Sequence, residues 1–169
     1  MIQIVEDFFD EKTLKHIQFV VKNKLTFEPS LYPPEVAEEI KAKTYGFRFV
    51  LAKDSEMMDL FCKTAEKKLQ VKLKEVHENS GIDMRSLDKF IPHVDSKDGV
   101  VRNILIMIDG PIAVNNGTVF YHPDKQGSTE DHKLDIHIGF RPNRAVWFSS
   151  DLLHSNCVAL EKNVKRYTA

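Results

Sequence analysis

Three residues in this sequence could together hold a metal ion: His93 and Asp95, in the tripeptide His93-Val94-Asp95, and the distant His154. On an extended backbone, residues i and i+2 project to the same side. His93 and Asp95 then offer an imidazole nitrogen and a carboxylate oxygen to one divalent ion, with His154 the best candidate for a third ligand. Two histidines and a carboxylate on one face of Fe(II) leave the opposite face open, the donor arrangement of non-haem iron oxygen chemistry. Further on, Arg166 offers a guanidinium fork that matches a carboxylate in two parallel hydrogen bonds. On a terminal strand Thr168 shares its face while Tyr167 points away, so the threonine hydroxyl can serve the same carboxylate.

Each feature also has a plainer reading. An HxD triplet arises by chance in many proteins, and a single histidine is more often a surface or satisfied core residue than a ligand. His77, His122, His132 and His137 compete for the role. His122 and Asp124 have the same spacing, but Pro123 separates them in a loop-like stretch. Arg166 can equally end a solvated basic cluster with Lys162 and Lys165, and Arg141 and Arg144 are rival cations in a turn.

A metal site needs rigid elements to orient its ligands. The first half of the chain, about 1–80, reads as helical. A short opening strand (Ile2, Ile4, Phe8) leads to a helix capped by Asp10 and running to about Lys24, with Leu14, Ile17, Phe19, Val20 and Val21 as apolar positions. Leu31 to Pro34 is a break, Glu35 to Lys43 a short helix, and Tyr45 to Leu51 a strand. A helix capped by Asp54 or Ser55 runs to about Lys74, with Met58, Phe61, Ala65 and Leu69 at helical spacing and a solvated lysine face.

After Gly81 the pattern is β-rich, over about 81–169. Strands are expected at Ile82 to Phe90, Ile104 to Ile108 (buried on both faces), Thr118 to Tyr121, Leu134 to Phe140, Ala145 to Phe148 and Val164 to Thr168. Asp109-Gly110-Pro111, Asn115-Asn116-Gly117 and Arg141-Pro142-Asn143 read as turns, and Pro123 to Lys133 as a loop. His93 and Asp95 sit where a strand runs out into Ser96-Lys97-Asp98-Gly99, and His154 follows a strand and the loop Ser149 to Leu153. This predicts a site closed by two non-adjacent strands at a sheet rim, in an α+β architecture with an antiparallel sandwich or barrel.

The 169 residues, 42% of them hydrophobic, suit one domain spanning 1–169. A formal net charge of −1 gives no global case for nucleic acid or a membrane surface. Cys62 and Cys157 are too few for a disulfide framework or a CxxC metal motif. Met1 to Asp7 lacks a signal-peptide pattern, and no segment approaches the roughly 18 apolar residues of a membrane span. A cytoplasmic protein with reduced thiols is expected.

Taken in order, the motifs resemble those of the 2-oxoglutarate- and Fe(II)-dependent dioxygenases, in their prolyl 4-hydroxylase-like branch. Ile2 to Phe9 looks like that family's opening strand and first helix, and Phe90-Ile91-Pro92-His93-Val94-Asp95 like its iron motif. Asn116-Gly117-Thr118-Val119-Phe120 is similar to its Gly-Gly-x-Thr-x-Phe strand, with Asn116 in place of the first glycine. Arg141 to Phe148 resembles the segment before the distal histidine, and His154-Ser155 followed by Arg166-Tyr167-Thr168 is similar to the closing motif.

The resemblance implies a double-stranded β-helix (a cupin-like jelly roll) with helices packed on one side. It implies Fe(II) on His93, Asp95 and His154, and 2-oxoglutarate as co-substrate with its C5 carboxylate on Arg166, assisted by Thr168. Thr118 and Trp147 would line the pocket or support the ligands. The family often has a tyrosine on the strand before the iron motif; Met84 to Lys89 has none, and Arg85 or Asn103 would compensate. The implied reaction consumes dioxygen, decarboxylates 2-oxoglutarate to succinate and hydroxylates a C–H bond. With Asp95 in the metal's coordination shell, hydroxylation is favoured over halogenation. The expected substrate is a peptidyl, prolyl-like side chain, with a free amino acid or other small molecule as the alternative. Two further alternatives are a cupin-like metal protein that does not use 2-oxoglutarate and a non-catalytic jelly-roll binding module.

Overall fold

In a computed structural model, two antiparallel sheets and a helical layer stack in the order small sheet, large sheet, helices. The structure describes residues 1–41, 43–85, 91–95, 100–122, 134–157 and 165–169. The strands are β1 (Ile2–Val5), β2 (Glu28–Leu31), β3 (Thr44–Val50), β4 (Gly81–Arg85), β5 (Arg102–Asp109), β6 (Ala113–Tyr121), β7 (Leu134–Phe140), β8 (Arg144–Ser149), β9 (His154–Cys157) and β10 (Arg166–Thr168). The helices are α1 (Glu11–Asn23), α2 (Pro34–Ile40) and α3 (Glu56–Leu69). The large sheet runs β1-β8-β5-β10-β4-β3-β2 and the small one β7-β6-β9.

The layers follow from the apolar pattern. In β5 the unbroken run alternates between two cores: Ile104, Ile106 and Ile108 pack toward the helices, while Leu105 and Met107 pack toward the small sheet. Phe120, Ile138, Phe140, Val146 and Phe148 complete the inter-sheet core. On the other side α1 contributes Ile17 and Val21, and α3 contributes Met58, Phe61, Ala65 and Leu69. Burying each large apolar side chain contributes about 1.5–3 kcal/mol. Asp10 and Ser55 cap the two helices, accepting from the amides of Thr13 and Met58. This is the double-stranded β-helix, with α1 and α3 packed on one face of its large sheet.

Several expectations need correction. Phe19 lies on the solvent side of α1, because Leu14, Ile17 and Val21 already form its buried stripe. Helix α3 stops at Leu69, where Gln70 adopts a left-handed conformation, rather than continuing to Lys74. Strand β2 lies where no strand was expected; Pro29 is tolerated because β2 is an edge strand. Asn115-Asn116-Gly117 is not a turn between strands but an irregularity inside β6, where the register shifts between Ala113 and Gly117. Gly117 has φ +154°, which suits glycine. His154 follows β8 and the loop after it, as expected, and itself opens β9, a strand that was not expected. The expected loops Ser96 to Gly99 and Pro123 to Lys133, the end of the expected Ile82 to Phe90 strand, and Val164 fall outside the described residues. Among the described residues no helix is long and apolar enough to cross a membrane.

Candidate metal centre

Strand β9 carries the site. One edge pairs with β6, with His154 opposite Phe120, and the other is bridged by His93. The two histidines exchange backbone hydrogen bonds at 2.9 and 3.0 Å, so they are direct cross-strand neighbours, not residues of non-adjacent strands. The Asp95 amide donates to the Ser150 carbonyl at 2.8 Å and fixes the other end of the tripeptide. Ligand atoms of His93, Asp95 and His154 all lie within 4.8 Å of one another. The His93 and His154 Nε2 atoms stand 3.3 and 3.5 Å from the two carboxylate oxygens of Asp95.

Each imidazole is held from behind. His93 Nδ1 donates to the Ile91 carbonyl at 3.1 Å and His154 Nδ1 to the Leu152 carbonyl at 2.9 Å. A carbonyl only accepts, so both rings are fixed with the proton on Nδ1 and Nε2 turned toward Asp95. Phe148 packs edge-on against His154 at 4.9 Å and also against Phe120 at 5.0 Å. Burial, together with the nearby His93, lowers the His154 pKa and favours the neutral, ligating form. Burial pushes the Asp95 carboxyl up, but the imidazoles of His93 and His154 and the Asn103 amide outweigh it and hold its pKa below the ordinary value. Two imidazole nitrogens and a carboxylate converging on one point form the donor set that suits a divalent ion with open coordination positions.

Asn103 of β5 donates from Nδ2 to Asp95 Oδ2 at 2.5 Å. Asn103 is one of the two residues, with Arg85, named as compensating for the family tyrosine; its amide is engaged in orienting the aspartate. Thr118 is buried on β6, opposite Asn156 of β9. Trp147 lies on the opposite face of β8 from Phe148 and packs against the helix-side core, because β8 turns Val146 and Phe148 toward the small sheet.

Strand β10 lies between β5 and β4, and Tyr167 packs in the helix-side core. Arg166 and Thr168 therefore face the small sheet, as the alternation predicts. Their cross-strand partners on β4 are Arg85 and Asp83. Arg166 is 4% exposed and donates through Nη1 to Asn116 Oδ1, with the Gly117 carbonyl at 3.4 Å. Arg85 donates to the Tyr45 carbonyl and lies 3.2 Å from Asp83. Asp83 also forms a two-pronged pair with Arg48 at 2.8 Å. A cavity of about 1610 Å³ borders the triad, Arg85, Arg166 and Thr168. The motif order pointed to the triad, Arg166 and Thr168. It did not reveal the Asn116 contact, the Phe148 brace or the Arg48–Asp83 pair; only the asparagine at a position where the resembling pattern has glycine hinted at the first.

No protein-family model matches the sequence, and no curated protein does. Solved structures do. The alpha ketoglutarate dependent epimerase SnoN of nogalamycin biosynthesis superposes with TM-score 0.65 at 12% identity, covering 99% of this chain and 76% of that one. A Trichoplax adhaerens prolyl hydroxylase, in complex with a hypoxia inducible factor peptide fragment, gives 0.61 at 12% identity over 99% and 80%. An oxidoreductase of the 2OG-Fe(II) oxygenase family from Burkholderia pseudomallei gives 0.60 at 13% identity over 99% and 81%. The chain thus has the double-stranded β-helix fold of the 2-oxoglutarate- and Fe(II)-dependent oxygenases, prolyl hydroxylases among them.

Proposed function

We propose that this protein is a 2-oxoglutarate- and Fe(II)-dependent dioxygenase that hydroxylates a C–H bond. The observation that carries the reading is the pairing of an oriented two-histidine, one-carboxylate cluster with a buried arginine bordering the same cavity. His93 Nε2, His154 Nε2 and an Asp95 oxygen hold the metal. Arg166 binds the far carboxylate of 2-oxoglutarate in a fork, and Thr168 adds its hydroxyl. The iron, when bound, supplies the oxidising chemistry driven by decarboxylation of 2-oxoglutarate. The protein orients the ligands through the Ile91 and Leu152 carbonyls and Asn103, and keeps water off the His154 side with Phe120 and Phe148.

A guanidinium bordering the cavity of the metal cluster suits a carboxylate ligand, which a cupin-like metal protein that does not use 2-oxoglutarate has no need to bind. We take the substrate to be a peptidyl, prolyl-like side chain, by likeness to the Trichoplax prolyl hydroxylase with its bound peptide fragment. A small-molecule substrate is the second reading, favoured by the likeness to the nogalamycin epimerase. The test is succinate formation from 2-oxoglutarate by anaerobically reconstituted protein exposed to air, with peptide and small-molecule panels compared for stimulation. Iron-dependent succinate supports the reading; no succinate with any panel sinks it.

A further inference from the structure

We propose that Asn156 is a co-substrate-binding residue: its side-chain amide donates to 2-oxoglutarate on the stretch between the metal and Arg166. This rests on the reading in which 2-oxoglutarate spans from the triad to Arg166.

The position follows from strand register. Directly opposed residues of antiparallel strands share a face. Phe120 and Ile138 of the small sheet pack in the inter-sheet core, so their rows face the large sheet. One row pairs Phe120 with His154, and the next joins Ile138, Thr118 and Asn156. Beyond that row, Asn116 accepts a hydrogen bond from Arg166 across the interior. Asn156 therefore stands two residues along β9 from His154, about 7 Å, with the Arg166 contact on its far side. Thr118 and Asn156 border the same cavity as the triad, Arg166 and Thr168.

The amide itself points to a ligand. Asn156 Oδ1 is buried and has no hydrogen-bond partner among the described residues. An orphaned buried polar group costs about 1–3 kcal/mol, and native structures carry few of them. His137 Nε2 is in the same condition, but His137 sits opposite Val119, in a row on the outer face of the sheet. The asparagine amide holds two donors and an acceptor, and a half-turn about χ2 exchanges their places. A dicarboxylate only accepts, so Nδ2 serves it, and the hydroxyl of Thr118 on the facing strand can donate to Oδ1. An apolar side chain of similar size would fill the position with no orphaned group. The amide gains its use when a ligand accepts from it.

The experiment titrates 2-oxoglutarate into Mn(II)-loaded wild type, Asn156→Leu, Asn156→Ala and Arg166→Ala, and records the Mn(II) Kd and the metal-free thermal midpoint of each. Both Asn156 variants are expected to raise the 2-oxoglutarate Kd by about 10-fold or more, the effect of one hydrogen bond to a charged group, with the Mn(II) Kd within about threefold of wild type. Asn156→Leu is expected to keep or raise the midpoint, because it removes an orphaned oxygen; an asparagine with a structural role alone would lower it. If either Asn156 variant binds 2-oxoglutarate within about threefold of wild type while Arg166→Ala loses it, the role of Asn156 is overturned and the anchor stands. A lowered midpoint with loss of Mn(II) binding in both Asn156 variants would also overturn it, showing a folding role only. If Arg166→Ala binds like wild type, the anchor reading itself falls and this proposal with it.

Discussion

Replacing Asn103 by alanine should weaken metal binding without touching a metal ligand. Asn103 donates to Asp95 Oδ2 at 2.5 Å, and Asp95 is the one anionic donor of the cluster. A hydrogen bond to a charged group is worth about 1.5–3 kcal/mol, which is about 10- to 100-fold in an equilibrium constant. That is also the usual effect of deleting a group that orients a metal ligand. Asn103 helps hold the Asp95 pKa low, so its loss lets a proton compete better for the carboxylate, and the deficit should widen as pH falls. The assay is anaerobic titration of Mn(II) or Fe(II), with thermal midpoints recorded at a fixed excess of metal. A tenfold weaker Kd removes about 1.4 kcal/mol of metal-induced stabilisation under those conditions. The metal-free variant should lose only about 1 kcal/mol, because the site is partly open to solvent. A Kd within about threefold of wild type would refute the reasoning and would mean that the Asn103 contact does not tune the aspartate.

Other consequences are as direct. Arg166→Ala should keep the wild-type metal affinity but raise the 2-oxoglutarate Kd by about 30-fold or more in calorimetry. The folded state holds the Asp83 carboxyl below its ordinary pKa: burial pushes it up, but Arg48 and Arg85 prevail. Its contribution is therefore complete above pH 3.8 and is lost as pH falls below that value, so Asp83→Asn should flatten the acid limb of a stability–pH curve. The same variant should lose about 2–4 kcal/mol at neutral pH in denaturant melts, because it leaves Arg48 without its two-pronged partner. Gly117→Ala forces a Cβ to within 2.0 Å of the Ile138 carbonyl oxygen. It should cost at least about 3 kcal/mol, read as a fall in thermal midpoint of about 6–12 °C.

Sequence and structure agree most where chemistry is local. An HxD pair needs only an extended backbone to share a face, and the alternation Arg166-Tyr167-Thr168 needs only a strand; both arguments use single-chain geometry. The Ile104 to Ile108 run likewise reveals a two-faced strand by its composition alone. What depends on register between distant strands was not legible. Nothing in the sequence says that His93 hydrogen-bonds to His154 across a strand pair, that Asn103 reaches Asp95, or that Trp147 falls on the helix side of β8. Asn115-Asn116-Gly117 has the composition of a turn, and only the pairing of β6 with β7 makes it a kink that turns a side chain inward. Strand β2 was not legible either, because a strand containing Pro29 is tolerated only at a sheet edge, and an edge position is a property of the assembled sheet.

The measurement that tests the central claim most directly is a crystal structure grown anaerobically with Fe(II) and 2-oxoglutarate. The account predicts one metal ion bonded to His93 Nε2, His154 Nε2 and an Asp95 oxygen, with the far carboxylate of 2-oxoglutarate in the fork of Arg166. A metal bound elsewhere, or a 2-oxoglutarate whose carboxylates make no contact with Arg166, would contradict it.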